Sequence, residues 1–152
     1  MGYSHYWNNE GHKDDEANFL KVVAEAKAMY AVLPEKTDTA GGYHANDPLK
    51  LCGGQGDGEP QFEERVICFN GDAELDLDLE TFYVTPQPCH NKFCKTARKP
   101  YDLMVCAVLL SMKKHLVNFN FSSDGISNYP SLYGGKDWGP AKEFYQKVCG
   151  KK

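Results

Sequence analysis

Cys94-Lys95-Thr96-Ala97-Arg98-Lys99-Pro100-Tyr101-Asp102 runs directly into an apolar segment, residues 103–116, and then into Val117-Asn118-Phe119-Asn120-Phe121. Proline lacks an N–H and has a fixed φ, so Pro100 is predicted to sit in the first turn of a helix. The residues after it are nearly all hydrophobic up to Lys113, Lys114 and His115, cations that suit a helix C-terminus. Val117 to Phe121 then alternates apolar and polar side chains, the period of a half-buried strand. A buried helix feeding such a strand is the nucleus of an α+β domain, and the rest of the chain extends it.

Upstream, residues 81–85 are β-branched and aromatic and stop at Pro86 and Pro88. Glu74-Leu75-Asp76-Leu77-Asp78-Leu79-Glu80 alternates strictly, which predicts a strand with three leucines on one face. Residues 65–69 form another strand, and Asn70-Gly71 after it is a strong hairpin signal. Gly53-Gly54-Gln55-Gly56-Asp57-Gly58 lacks the Gly-Lys-Ser/Thr ending of a phosphate loop and reads as a connector; residues 49–52 before it read as a short strand. Nearer the N-terminus, Asp14, Asp15 and Glu16 open a helix with Phe19, Leu20, Val22, Val23, Ala26, Met29 and Leu33 at helical period, and Pro34 ends it. Gly41-Gly42 lies in a polar loop, residues 2–7 form a first strand, and Pro140 opens a last helix over residues 141–148. With the short 49–52 segment left aside, the order β-α-β-β-β-α-β-α predicts one two-layer α+β domain over residues 1–152, an antiparallel sheet with helices packed on one face.

At 152 residues with net charge −4 and pI about 5.7, the chain has no global field for nucleic acid or anionic membrane. Any anion contact must therefore be local. The N-terminus has neither the basic nor the apolar region of a secretory signal, and residues 103–112 are too few to span a bilayer. A cytoplasmic protein with no membrane contact is expected. Of the 17 cationic residues only Arg65 and Arg98 are arginines, so Arg98 leads for bidentate recognition of a phosphate or carboxylate.

The cysteines are Cys52, Cys68, Cys89, Cys94, Cys106 and Cys149. Cys106 lies in the apolar helix and Cys68 in a strand, where free cysteine behaves as a small buried hydrophobe. Reduced thiols are expected, with Cys89 and Cys94, in the loop before the helix, as the pair most able to bridge. Cys89, His90 and Cys94 would need a fourth ligand for zinc and contain no Cys-x2-Cys pair, so no metal and no cofactor are assigned.

Two stretches resemble a known family. Met1-Gly2-Tyr3-Ser4-His5-Tyr6-Trp7 is similar to the MGYTHYW opening of a family of small bacterial, phage and fungal proteins. Cys94 through Asp102 is similar to that family's central motif. Phe69-Asn70-Gly71, Ser122-Ser123-Asp124-Gly125 and Trp138 also fit, while Ser4 replaces a threonine and the loop over residues 128–136 is longer. The resemblance implies a shared fold and a set of marked positions; it implies no reaction.

The candidate site follows from charge. A helix N-terminus presents bare N–H groups and about half a positive charge, and Lys95, Arg98 and Lys99 gather beside it. The bland reading makes Thr96 a cap, Pro100 an initiator and Asp102 a complement to the dipole. Capping alone does not call for three cations at a positive pole, so Lys95, Thr96, Arg98, Lys99 and Tyr101 are assigned to ligand binding. His5 or Asp124 is assigned to general acid–base work, Asp124 also being a candidate partner of Arg98 or His5. Tyr6 and Trp7 are assigned to packing a base or sugar. The expected function is a small hydrolase or transferase for an anionic, phosphate-bearing small molecule or a nucleic-acid fragment. The alternative is a non-catalytic module or inhibitor that binds an acidic protein surface through the same cleft.

Overall fold

The computed structural model describes residues 3–36, 47–124 and 139–150; Gly41-Gly42, Gly125, the loop at 128–136 and Trp138 lie outside the described residues. The α+β class holds, with the sheet layer split in two. β1 (Ser4–Asn9) is the centre of one antiparallel sheet, flanked by β5 (Cys89–Lys95) and β6 (Phe119–Ser123). β2 (Gln61–Glu63), β3 (Val66–Phe69) and β4 (Phe82–Val84) form the other. Strand alternation sends His5, Trp7 and Asn9 inward and leaves Tyr6 exposed. Trp7 packs on Phe82 of β4 with ring centroids 5.4 Å apart, joining the two sheets.

Among the described residues three helices complete the core: α1 (Asp15–Ala31), α2 (Asp102–His115) and α3 (Gly139–Cys149). α1 buries Phe19, Val22, Val23, Ala26 and Met29 against α2, whereas Leu20 of the predicted stripe is 49% exposed. α2 meets α1, α3 and β6, which is why Met104, Val105, Val108, Leu109 and Met112 are all buried and its hydrophobicity runs round the whole helix.

Four local expectations are corrected. The Asn70-Gly71 hairpin is absent: β2 and β3 turn over Glu64-Arg65, and β3 reaches β4 through residues 70–81. The alternating 74–80 segment is no strand but a 3-10 turn, Ala73–Leu75, followed by Asp76 at φ 60°. Residues 49–52 form no strand either; Cys52 makes a single bridge to Asn70. The stretch read as a loop around Cys89 and Cys94 is β5, paired with β1.

Candidate functional site

Sheet register builds the site. β6 places Ser123 opposite His5, and β5 delivers the chain to Thr96 after pairing Lys95 with Ser4. The Thr96 and Ala97 amides both donate to the Tyr3 carbonyl, tying the loop to β1. A tight turn follows, in which the Lys99 N–H donates to the Thr96 carbonyl at 3.0 Å. Both central residues are left-handed, Ala97 at φ 53° and Arg98 at φ 58°. That is the pattern of a type I′ turn made without glycine, costing about 1–2 kcal/mol at each position. Strain of this kind clusters at binding sites, where the surroundings hold it in place.

The turn reverses the chain so that α2 starts against His5, with Asp102 and Cys106 one helical turn apart on the same face. His5 is fully buried. Its Nδ1 lies 2.5 Å from Ser123 Oγ and its Nε2 2.6 Å from Asp102 Oδ1. The Thr96 hydroxyl donates to the same Asp102 oxygen at 2.6 Å, and the Cys106 thiol donates to Oδ2 at 3.5 Å. Cys106 Sγ is also 3.7 Å from His5 Nε2. Burial works to raise the Asp102 pKa, but the His5 charge and the bonds from His5, Thr96 and Cys106 outweigh it and hold the carboxyl below its ordinary value. Thr96 thus anchors Asp102 instead of capping the helix.

The bare helix N-terminus is corrected. α2 begins at Asp102, after Pro100, and its first amides are taken: Asp102 donates to Lys99, Leu103 to Pro100 and Met104 to Tyr101. These amides are therefore not free to bind an anion. A cleft of about 380 Å³ opens beside the cluster, lined by Asp102 and Cys106 and by Lys36, Arg98, Lys99 and Lys147. The Arg98 guanidinium lies 4.0 Å over the Tyr3 ring, and Tyr3 meets His5 edge-on at 5.1 Å. Lys99 lines the cleft, but its ammonium donates to the carbonyls of Asp76 and Asp78.

The remaining assigned residues scatter. Asp124 accepts from the Ser4 amide and the Tyr6 hydroxyl; the carboxylate bonded to His5 is Asp102. Tyr6 and Asp124 line no part of the cleft among the described residues. Trp7 is a core side chain, 4% exposed, and not a stacking platform. Tyr101 is buried too, its hydroxyl donating to the Glu80 carbonyl at 2.6 Å. Lys95 is exposed on β5, its amide bonded to the Glu80 carboxylate.

All six cysteines are free thiols, and Cys89, His90 and Cys94 form no converging donor set. Burial pushes the Cys94 thiol up to about 12 and Cys149 up to about 11, so neither is a thiolate at neutral pH. Sequence reasoning missed Asp102, Cys106 and Ser123 as partners of His5. The four-residue spacing of Asp102 and Cys106 was visible, but nothing local points it at a histidine 97 residues away. Comparison with family models, curated proteins and solved structures finds no match to this chain, and among the described residues no helix is long and apolar enough to cross a membrane.

Proposed function

We propose that this chain is a small hydrolase or transferase acting on a phosphate-bearing ligand such as a nucleotide or an RNA end. One observation carries the reading: in a chain of net charge −4, Lys36, Arg98, Lys99 and Lys147 outnumber the carboxylates of Asp102 and Glu143 in a single cleft whose wall also holds Cys106. Arg98, Lys36 and Lys147 hold the anion, while Lys99 stiffens the rim. Asp102 is the group that meets the substrate and handles its proton; His5, buried behind it, is a positioning residue. The two stretches that carry the family resemblance supply His5, Thr96, Arg98 and Asp102 to this one cluster, which supports reading them as one unit.

Thermal unfolding with inorganic phosphate, mononucleotides and a 5′-phosphorylated oligoribonucleotide tests this. A ligand at a hundredfold excess over its Kd stabilises the folded state by about 2.7 kcal/mol, a readily measured rise in Tm. Arg98→Ala should abolish that rise; unfolding of the variant without phosphate measures separately what losing the Arg98 contact on the buried Tyr3 ring costs in intrinsic stability. A flat response to every phosphate compound overturns the reading in favour of a module that binds an acidic protein surface.

A further inference from the structure

We infer that His5, Asp102 and Cys106 form a mononuclear site for a zinc-class divalent ion whose fourth coordination position opens onto the cationic cleft. The three side chains each offer one donor atom, and these lie within 4.8 Å of one another. Zinc bonds of about 2.3 Å to sulfur and about 2.0–2.2 Å to nitrogen and oxygen at tetrahedral angles put S···N and S···O edges at about 3.6 Å. The observed edges from Cys106 Sγ are 3.7 Å to His5 Nε2 and 3.5 Å to Asp102 Oδ2. The 2.6 Å contact from His5 Nε2 to Asp102 Oδ1 is the one that a proton closes and an ion would replace.

The surroundings suit ligands rather than an ordinary ion pair. A ligating histidine almost always donates its other N–H to a fixed acceptor, and a ligating carboxylate is itself hydrogen-bonded. His5 Nδ1 has the buried Ser123 Oγ, and Asp102 Oδ1 has the Thr96 hydroxyl, which leaves Oδ2 for the ion. Three protein ligands of mixed N, O and S type with one open position are the arrangement of catalytic zinc. Asp102 and Cys106 both line the cleft, so the open position faces the anion that Arg98 would hold. The inference rests on the proposed cleft but changes one role in it, since Asp102 would hold the ion rather than handle the substrate's proton; its test reads the metal alone.

The full chain, reduced and treated with chelator, is titrated with Co2+ as the spectroscopic probe and then with Zn2+ as competitor. One equivalent of Co2+ should develop a thiolate-to-cobalt charge-transfer band and strong four-coordinate d–d bands, both lost on adding Zn2+. Cys106→Ser should remove the charge-transfer band. Ser123→Ala, which touches no ligand atom of the ion, should weaken Co2+ binding about tenfold or more. Arg98→Ala should leave the cobalt spectrum unchanged, so failure of anion binding and failure of metal binding are separate results. A wild-type protein without the charge-transfer band overturns the inference, and so does a band that survives Cys106→Ser. If Cys106→Ser does not fold, the wild-type titration together with Ser123→Ala decides.

Discussion

At Asp102, burial works to raise the carboxyl's pKa while the His5 ring and the bonds from His5, Thr96 and Cys106 lower it, and the lowering wins. The folded value lies below the unfolded one. Its contribution is therefore fully present above about pH 4, the unfolded value, and is lost as the pH falls through the depressed folded value. Asp102→Asn keeps an acceptor but turns charge-assisted bonds into neutral ones, a loss of about 2–3 kcal/mol summed over its donors. Urea unfolding of both proteins should show that gap at pH 7 and a steady narrowing in acid, below about pH 4. A gap that stays constant through the acid range would show that Asp102 is not the titrating group. At this scale the sequence was only half legible. It singled out His5, Thr96 and Arg98, yet it read Asp102 as a complement to a helix dipole and Cys106 as a small hydrophobe. Both readings are sound locally; the functional partner of each arrives through sheet pairing.

Among the elements, α1, α2 and β6 were legible because each has one dominant environment, and their periodicity reports it. Residues 70–81 were not, because one side chain does what a neighbouring strand would otherwise do. Asn70 Oδ1 accepts from the Gly71 and Leu79 amides, and its Nδ2 donates to the carbonyls of Gly54 and Leu79 and to Thr81 Oγ1. The Lys99 ammonium takes two further carbonyls, those of Asp76 and Asp78. With its backbone satisfied this way, the Glu74 to Glu80 alternation has no strand to pair with; of its leucines only Leu77 is buried, while Leu75 and Leu79 are exposed. Gly71 follows the same logic, since a Cβ there would run into the Leu77 carbonyl. Strand β5 was hidden for the opposite reason: as an edge strand it exposes most of its side chains and shows little alternation. Asn70→Ala leaves the Gly71 and Leu79 amides without their acceptor and the Leu79 carbonyl without this donor, while Gly54 keeps its bond from Thr81; it should cost about 3 kcal/mol, at the upper end for one buried polar group. Hydrogen exchange should show the Leu79 amide losing its protection while those of α2 keep theirs. Unchanged protection at Leu79 would mean that some other group orders this segment.

On the scale of the whole molecule, the three helices are tied together by a single carboxylate. Glu25 on α1 accepts from the Ser111 hydroxyl of α2 at 2.7 Å and from the Tyr145 hydroxyl of α3 at 2.6 Å, and lies 3.2 Å from His115 Nε2. Burial raises its pKa, but these three partners lower it further, so the network persists above the ordinary carboxylate range and is lost as the pH falls through the depressed value. The same helix α3 closes the cleft, contributing Ala141, Phe144 and Lys147 to its lining. A defect at Glu25 therefore reaches the site without touching it. Glu25→Ala leaves the Ser111 and Tyr145 hydroxyls without their acceptor, which costs about 2–4 kcal/mol, or on the order of 10 °C in Tm for a chain of this size. The α3 amides should exchange faster and, on the proposed function, any rise in Tm with phosphate should be smaller than in the wild type, because Lys147 is no longer held in place. Glu16→Ala, which removes exposed contacts to Arg65 and Gln87, is the control and should change Tm little. A Glu25→Ala protein that loses stability yet keeps the full phosphate response would show that the cleft forms without α3 docked.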